Sequence, residues 1–201
     1  DTLREQMGLV RQVLDVLRLP VTDLLGFEAD DIIATLASKA RDNGTDVLIV
    51  TGDRDSYQLV EDPHIKVVYN KRGVSDYALY DEAGILERTG VKPTDYVAYA
   101  SLRGDPSDNL PGVAGVGEKT AAKLINKYGG IDGIYEHVDE QTPKLRENLA
   151  ANEEQVRLNL EVMDLVRDAP VDIDLDAGMI REPYDVDDVR QLFDFLEFRT
   201  L

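Results

Sequence analysis

The chain has 201 residues, 43% hydrophobic and 31% charged, enough to bury a core as one domain or a domain with an appendage. Cysteine is absent, which excludes disulfides and thiolate metal sites, and the two histidines, His64 and His137, stand far apart, so a bound metal is expected to take oxygen ligands. The net charge of −18 argues against a nucleic-acid partner only as an average: residues 151–201 hold 14 acids and 5 bases, but residues 101–130 hold 3 acids and 4 bases.

In chain order, residues 3–19 read as an amphipathic helix closed by Pro20, and "GFEADDIIATLASKARDNG" as a second helix. In that second helix Ile32, Ile33, Leu36, Ala37 and Ala40 share a face, and Asn43-Gly44 end it. "DVLIVT" is a β-branched run expected of a strand buried on both faces in a parallel sheet. Residues 56–60 read as a short helical start, "IKVVYN" as a strand and "KRG" as a turn. "YDEAGILERTG", "TDYVAYASLRG" and "EKTAAKLINKYGG" read as helices, with more helix to about Val166. "VDIDLD" alternates apolar and acidic residues, as an exposed strand does, and "DVDDVRQLFDFLEF" closes the chain as an acid-started helix. The pattern is α/β in the first half and mainly α thereafter. No run approaches eighteen apolar residues, the first residues lack the basic start and apolar core of a signal peptide, and the absence of cysteine fits a reducing compartment, so a cytoplasmic protein is expected.

Three acidic clusters stand out: Glu28, Asp30 and Asp31 in "FEADD", Asp53 and Asp55 in "TGDRD", and Asp105 and Asp108 in "GDPSD". Each alone has a structural explanation, as first-turn acids on a helix or as turn residues. Together they point elsewhere. "TGDRD" follows the carboxyl end of a strand, where open α/β sheets place ligands. Seven carboxylates in one site repel unless cations intervene, and two divalent ions about 3.5–4 Å apart are the usual machinery of phosphodiester hydrolysis. By contrast "DIDLDAG" fails as a calcium loop, because Ala177 and Pro183 occupy the glycine and glutamate positions.

"GVAGVGEKT" fails both common phosphate motifs. Glu118 separates Gly117 from Lys119, which breaks a P-loop, and the glycine spacing is wrong for a dinucleotide fingerprint. Two readings stay open: a plain helical corner, or a glycine hairpin in which Gly115 and Gly117 let backbone approach a phosphate, with Lys119 and Thr120 adding charge and a hydroxyl.

"GFEADD", "VTGDRDSYQLV", "LRGDPSDNLPGVAGVGEKTAAKLI" and "FDFLEF" occur in the order found in the 5′-nuclease domains of bacterial DNA polymerase I, which belong to the flap endonuclease superfamily, and the resemblance spans nearly the whole chain. It implies a PIN-like α/β core over residues 1–103 and a helix-hairpin-helix DNA-binding region with a helical tail over residues 104–201. The implied activity is divalent-metal-dependent removal of 5′ flaps and RNA primers from duplex DNA in replication and repair, leaving a 5′-phosphate. Glu28 and Asp30, with Asp31, correspond to ligands of a first Mg2+ or Mn2+. Asp53 lies between the sites, and Asp55, Asp105 and Asp108 correspond to ligands of a second. The carbonyls of Val113 and Val116 correspond to a K+ site at the DNA-gripping hairpin. The family's opening strand with its further aspartate, a second acidic motif and a basic helical arch have no match here. The chain is therefore expected to be a piece of a larger monomeric, nucleoid-associated enzyme, with a polymerase module after Leu201 and a sheet lacking a central strand, inactive alone. Two competing readings are a non-catalytic duplex-binding module and a small-molecule phosphatase, which leaves the hairpin unexplained.

Overall fold

A computed structural model describes residues 2–73, 75–173 and 183–198. The chain divides into two compact units, Phe27–Val171 and a second formed by Asp1–Gly26 with Asp172–Leu201.

In the second unit, helix α1 (Thr2–Val16) ends as Arg18 turns into the left-handed region at φ 50. Its Leu9, Val13 and Leu14 share one stripe and, with Leu196 and Phe198, line an apolar groove of about 440 Å³.

The larger unit begins with α2 (Ala29–Asp42), entered from an extended Glu28. Its buried positions are Ile32, Ala34, Thr35, Ala37, Ser38 and Ala40, whereas Ile33 and Leu36 of the expected face are half-buried; the buried stripe is displaced toward small residues, which let neighbouring backbone come close. Thr35 Oγ1, for example, donates to the Val166 carbonyl and accepts from the Ala169 N–H. Strand β1 (Val47–Thr51) pairs in parallel with β2 (Ile65–Arg72) across a crossover containing a 3-10 helix, Asp55–Leu59. Strand β3 (Asp76–Tyr80) then returns antiparallel, giving the order β1-β2-β3.

Three expectations change here. The sheet is mixed, and β3 is a strand that the sequence reading passed over, with Lys71 and Arg72 inside β2 rather than in a turn. Nor is β1 buried on both faces: Ile49 is 5% exposed, but Leu48 and Val50 are 58% and 66% exposed. β1 is an edge strand, and its β-branched run fits a pleated surface whether one face is covered or two. Finally, residues 171–173 form no strand. Val171 is buried and its carbonyl accepts from Lys39 Nζ at 3.0 Å instead of from a ladder. The rest of "VDIDLD", and most of the rejected calcium loop, lies outside the described residues.

Helices α3 (Glu82–Thr89) and α4 (Tyr96–Arg103) follow. Asp81 caps α3 by accepting from the Gly84 N–H, and Gly90 ends it at φ 82. Two short strands, β4 (Gly104–Asp105) and β5 (Leu110–Pro111), make a small antiparallel ladder. Beyond it come α5 (Glu118–Tyr128), α6 (Ile131–Glu136), α7 (Pro143–Ala151) and α8 (Glu153–Met163). The smaller unit is completed by α9 (Val186–Phe195), capped by Asp185 accepting from the N–H groups of Asp187 and Asp188. One continuous core runs through the larger unit, from Ile49, Ile65 and Val67 under the sheet to Leu102, Ile125, Ile134, Leu149 and Val156 among the helices. Each such side chain contributes about 1.5–3 kcal/mol by leaving water, so this core fixes the loops that carry the acids.

Candidate active site

Each acidic cluster sits where an element starts or stops. Glu28 is the N-cap of α2, and Asp30 and Asp31 open its first turn. Asp53 and Asp55 follow the carboxyl end of β1. Asp53 Oδ1 accepts from the Asp55 N–H at 2.9 Å, and the Asp53 N–H donates to Thr51 Oγ1 at 3.0 Å. Asp105 lies in β4 and Asp108 in the turn to β5. Six of the seven, Glu28, Asp30, Asp31, Asp53, Asp55 and Asp108, line one cavity of about 530 Å³. Asp105 lines an adjoining cavity of about 480 Å³, and Asp53 stands in the wall of both.

The electrostatics follow from this proximity. Burial, then the charges of Asp53, Asp105, Asp108 and Asp30, push the Asp55 carboxyl up to about 7. Burial, followed by Asp53, Glu28, Asp31 and Asp108, raises Asp30 as well, and burial with Asp105 and Asp53 raises Asp108. Asp105 goes the other way. Burial alone favours its neutral form, but the Ser107 hydroxyl and N–H, with Arg103, hold it below the ordinary carboxylate range. Asp31 already has work to do: its Oδ2 accepts from the Glu28 N–H and its Oδ1 from the Val166 N–H.

Among the described residues, no group of three or more His, Cys, Asp or Glu side chains stands in metal-ligating geometry. The donor set nevertheless fits hard divalent cations in its chemistry. It offers oxygen only, lines a shared polar cavity, and carries mutual repulsion that added positive charge relieves. The histidines take no part: His64 Nδ1 lies 2.9 Å from Asp46 and His137 Nδ1 2.9 Å from the Gly133 carbonyl.

The acidic turn owes its shape to close backbone contact. A Cβ added to Gly112 meets the Arg103 carbonyl oxygen at 2.0 Å, and one on Gly104, at φ 77, meets the Gly112 nitrogen at 2.2 Å. Gly112→Ala is therefore expected to cost at least about 2 kcal/mol in urea unfolding, since backbone rather than a flexible side chain must yield.

The glycine hairpin follows directly. Val113 and Val116 are buried at 3% and 5% exposure, and the Val113 carbonyl accepts from the Val116 N–H at 2.9 Å. Gly115 takes φ 81 at the tip, Gly117 is the side-chain-free N-cap of α5, Lys119 is exposed and Thr120 half-buried. Several contributors were missed in the sequence. Asn148 on α7 donates to the Ala114 carbonyl at 2.7 Å and steadies the tip. Glu161 and Asp164, at the end of α8, add two acids to the wall of the carboxylate cavity. Asn159 and the Arg103–Glu118 pair emerge only when long-range contacts are known.

An α/β layer with carboxylates at a strand's end, followed by a helical hairpin region, is the layout of the 5′ nucleases. Residues 1–90 match the 5′-3′ exonuclease N-terminal resolvase-like domain, and residues 91–186 the 5′-3′ exonuclease C-terminal SAM fold. The chain belongs to the 5′-3′ exonuclease family. It is 45% identical over 201 residues to DNA polymerase I of Mycobacterium bovis, and 38% identical over 196 residues to the thermostable DNA polymerase I of Thermus thermophilus. The chain spans 22% of the length of each of these polymerases, all of it matched in the first and 98% in the second. Among solved structures, T5 D15 protein co-crystallised with metal ions is 24% identical with a TM-score of 0.63, over 89% of this chain and 62% of that one. The catalytic core of Rad2 in complex with DNA substrate is 20% identical with a TM-score of 0.65, over 95% and 64%. These two likenesses concern the fold alone. Among the described residues, no helix is long and apolar enough to cross a membrane.

Proposed function

We propose that this chain is the nuclease part of a larger DNA polymerase I-type enzyme and hydrolyses phosphodiester bonds at 5′ flaps and primers in duplex DNA during replication and repair. The observation that carries the proposal is the convergence of the three acidic clusters, from α2, the end of β1 and the β4–β5 turn, on adjoining cavities. A binding module gains nothing from so many acids facing phosphate.

In this reading Glu28 and Asp30, assisted by Asp31, hold one Mg2+ or Mn2+, while Asp55, Asp105 and Asp108 hold another and Asp53 lies between. Bound divalent ions supply a hydroxide-like water near neutral pH and offset charge on the leaving oxygen. The protein's own part is placement. Ser107 fixes the rotamer of Asp105, the Asp55 N–H fixes that of Asp53, and Asp31 ties the start of α2 to Val166. Residues 1–103 form the nuclease core, whose cutting site Asp105 and Asp108 complete, and residues 104–201 form the duplex-binding region, where Lys119, Thr120 and the backbone at Gly115 and Gly117 meet phosphates and the Val113 and Val116 carbonyls take K+.

The test is cleavage of a labelled 5′-flap duplex by the full-length protein, with Mg2+ or Mn2+ and with EDTA. Metal-dependent release of the flap is expected. Cleavage that persists in EDTA, or survives Asp105→Asn combined with Asp108→Asn, would sink the assignment.

A further inference from the structure

The second cavity is unlike the first in charge, because two guanidinium groups face into it. Its walls include Asp53, Arg54, Tyr69, Arg103, Ser107 and Glu118. Arg103 is held from behind. Its Nε donates to the Gly104 carbonyl at 3.1 Å, its Cζ lies 5.5 Å from the Tyr99 ring centroid, and its side chain is 15% exposed. Glu118, the first residue of α5, reaches across: its Oε1 lies 3.6 Å from Arg54 Nη1 and 3.9 Å from Arg103 Nη1. Both separations exceed a hydrogen bond, as does the 3.6 Å from Arg103 Nη2 to Asp105 Oδ2. The two guanidiniums therefore flank a carboxylate that offsets part of their charge without accepting a hydrogen bond from either.

We propose that Arg54 and Arg103 form a subsite for a phosphate group of the DNA strand, next to the carboxylate cavity, and that Glu118 occupies it as an internal anion until DNA displaces it. Planar guanidinium donors match phosphate oxygens, and one phosphate offers more acceptors to two arginines than one distant carboxylate does. The shared wall at Asp53 places this phosphate beside the one at the carboxylate cluster. Two of the three acids lining the subsite, Asp53 and Asp105, are those assigned above to the divalent ions, and to that extent the inference rests on the nuclease reading. With those two carboxylates engaged, Glu118 is the remaining counter-charge. Because Glu118 opens the helix that follows the glycine hairpin, its displacement also couples the duplex-binding element to the cutting site.

The test is equilibrium binding of the full-length protein to a flap duplex across a salt series, in Ca2+ and again in EDTA, with no cleavage read. Arg103→Met is expected to weaken binding about tenfold in Ca2+ and to reduce the slope of log affinity against log salt by about 0.9, the value of one phosphate contact. Glu118→Gln keeps shape and removes charge, and is expected to tighten binding about threefold, a gain that a damaged fold does not produce. The duplex is used with a 5′-phosphate and with a 5′-hydroxyl. If Arg103→Met abolishes only the advantage of the phosphorylated form, the ligand is a terminal phosphate; if it weakens both alike, the ligand is an internal diester. An unchanged salt slope in Arg103→Met, or no tightening in Glu118→Gln, overturns the proposal. Failure of the nuclease reading shows in the cleavage assay instead, so the two can fail separately.

Discussion

Asp55→Asn is expected to cripple cleavage and, in EDTA at pH 8, to make the protein more stable. The two effects share one cause. Burial and four neighbouring carboxylates raise the folded-state pKa of Asp55 to about 7, against an ordinary value of 3.8. Well below pH 4 the group is neutral in folded and unfolded chains alike and carries no penalty. Between about pH 4 and 7 the unfolded chain ionises this group while the folded protein keeps it neutral, so stability falls across that window and levels off above it, where the folded protein holds the charge at a cost. With allowance for the open side of the cavity, the penalty is on the order of 2 kcal/mol, equivalent to a melting rise of roughly 4–8 °C in the asparagine variant. The gain should shrink as pH falls and vanish by about pH 3. Divalent ions should stabilise the wild type more than the variant, because the native state alone presents the assembled carboxylates. Cleavage should fall by about a thousandfold with the flap substrate. A variant no more stable than wild type in EDTA at pH 8 would show that the repulsion is already relieved by other means.

How much of this was legible in the sequence depends on how far apart the partners lie. "TGDRD" after a β-branched run placed Asp53 and Asp55 at a strand's carboxyl end, because strand and turn are both local signals. The glycine stops at Asn43-Gly44 and Gly129 were legible for the same reason. Strand β3 was not: its Tyr77–Tyr80 alternation is short and runs straight into the Asp81 cap, so its last residue reads as the start of the following helix and the rest as connection. The exposure of Leu48 and Val50 was equally hidden, since β-branched residues suit an edge strand as well as a central one. Asp31 illustrates a different limit. Its type and spacing suggest a ligand, yet both its oxygens accept backbone N–H groups, one of them 135 residues away in sequence. The pairing of Arg103 with Glu118 spans two elements and leaves no periodic trace.

Asn159 shows the same limit at larger energetic scale. It is fully buried in α8, and its Nδ2 donates to the Ser101 carbonyl at 3.0 Å and the Pro111 carbonyl at 2.9 Å, while its Oδ1 accepts from Gln155 at 2.8 Å. Those two carbonyls bracket the turn that carries Asp105 and Asp108, so one side chain fastens both ends of the acidic loop to α8. Asn159→Leu removes both donors and leaves buried acceptors without partners, at an expected cost of about 3 kcal/mol in urea unfolding. Asn159→Asp should cost at least as much at pH 7, because a carboxylate there faces two carbonyls and has no cation in contact. The pH response separates the two variants. A buried aspartate has its folded pKa raised, so the aspartate variant should recover stability as pH falls from 7 to 5, and the leucine variant should not. Flap cleavage should drop in both although every proposed metal ligand is intact. Wild-type stability in Asn159→Leu would mean that the acidic loop is held by its glycine contacts alone.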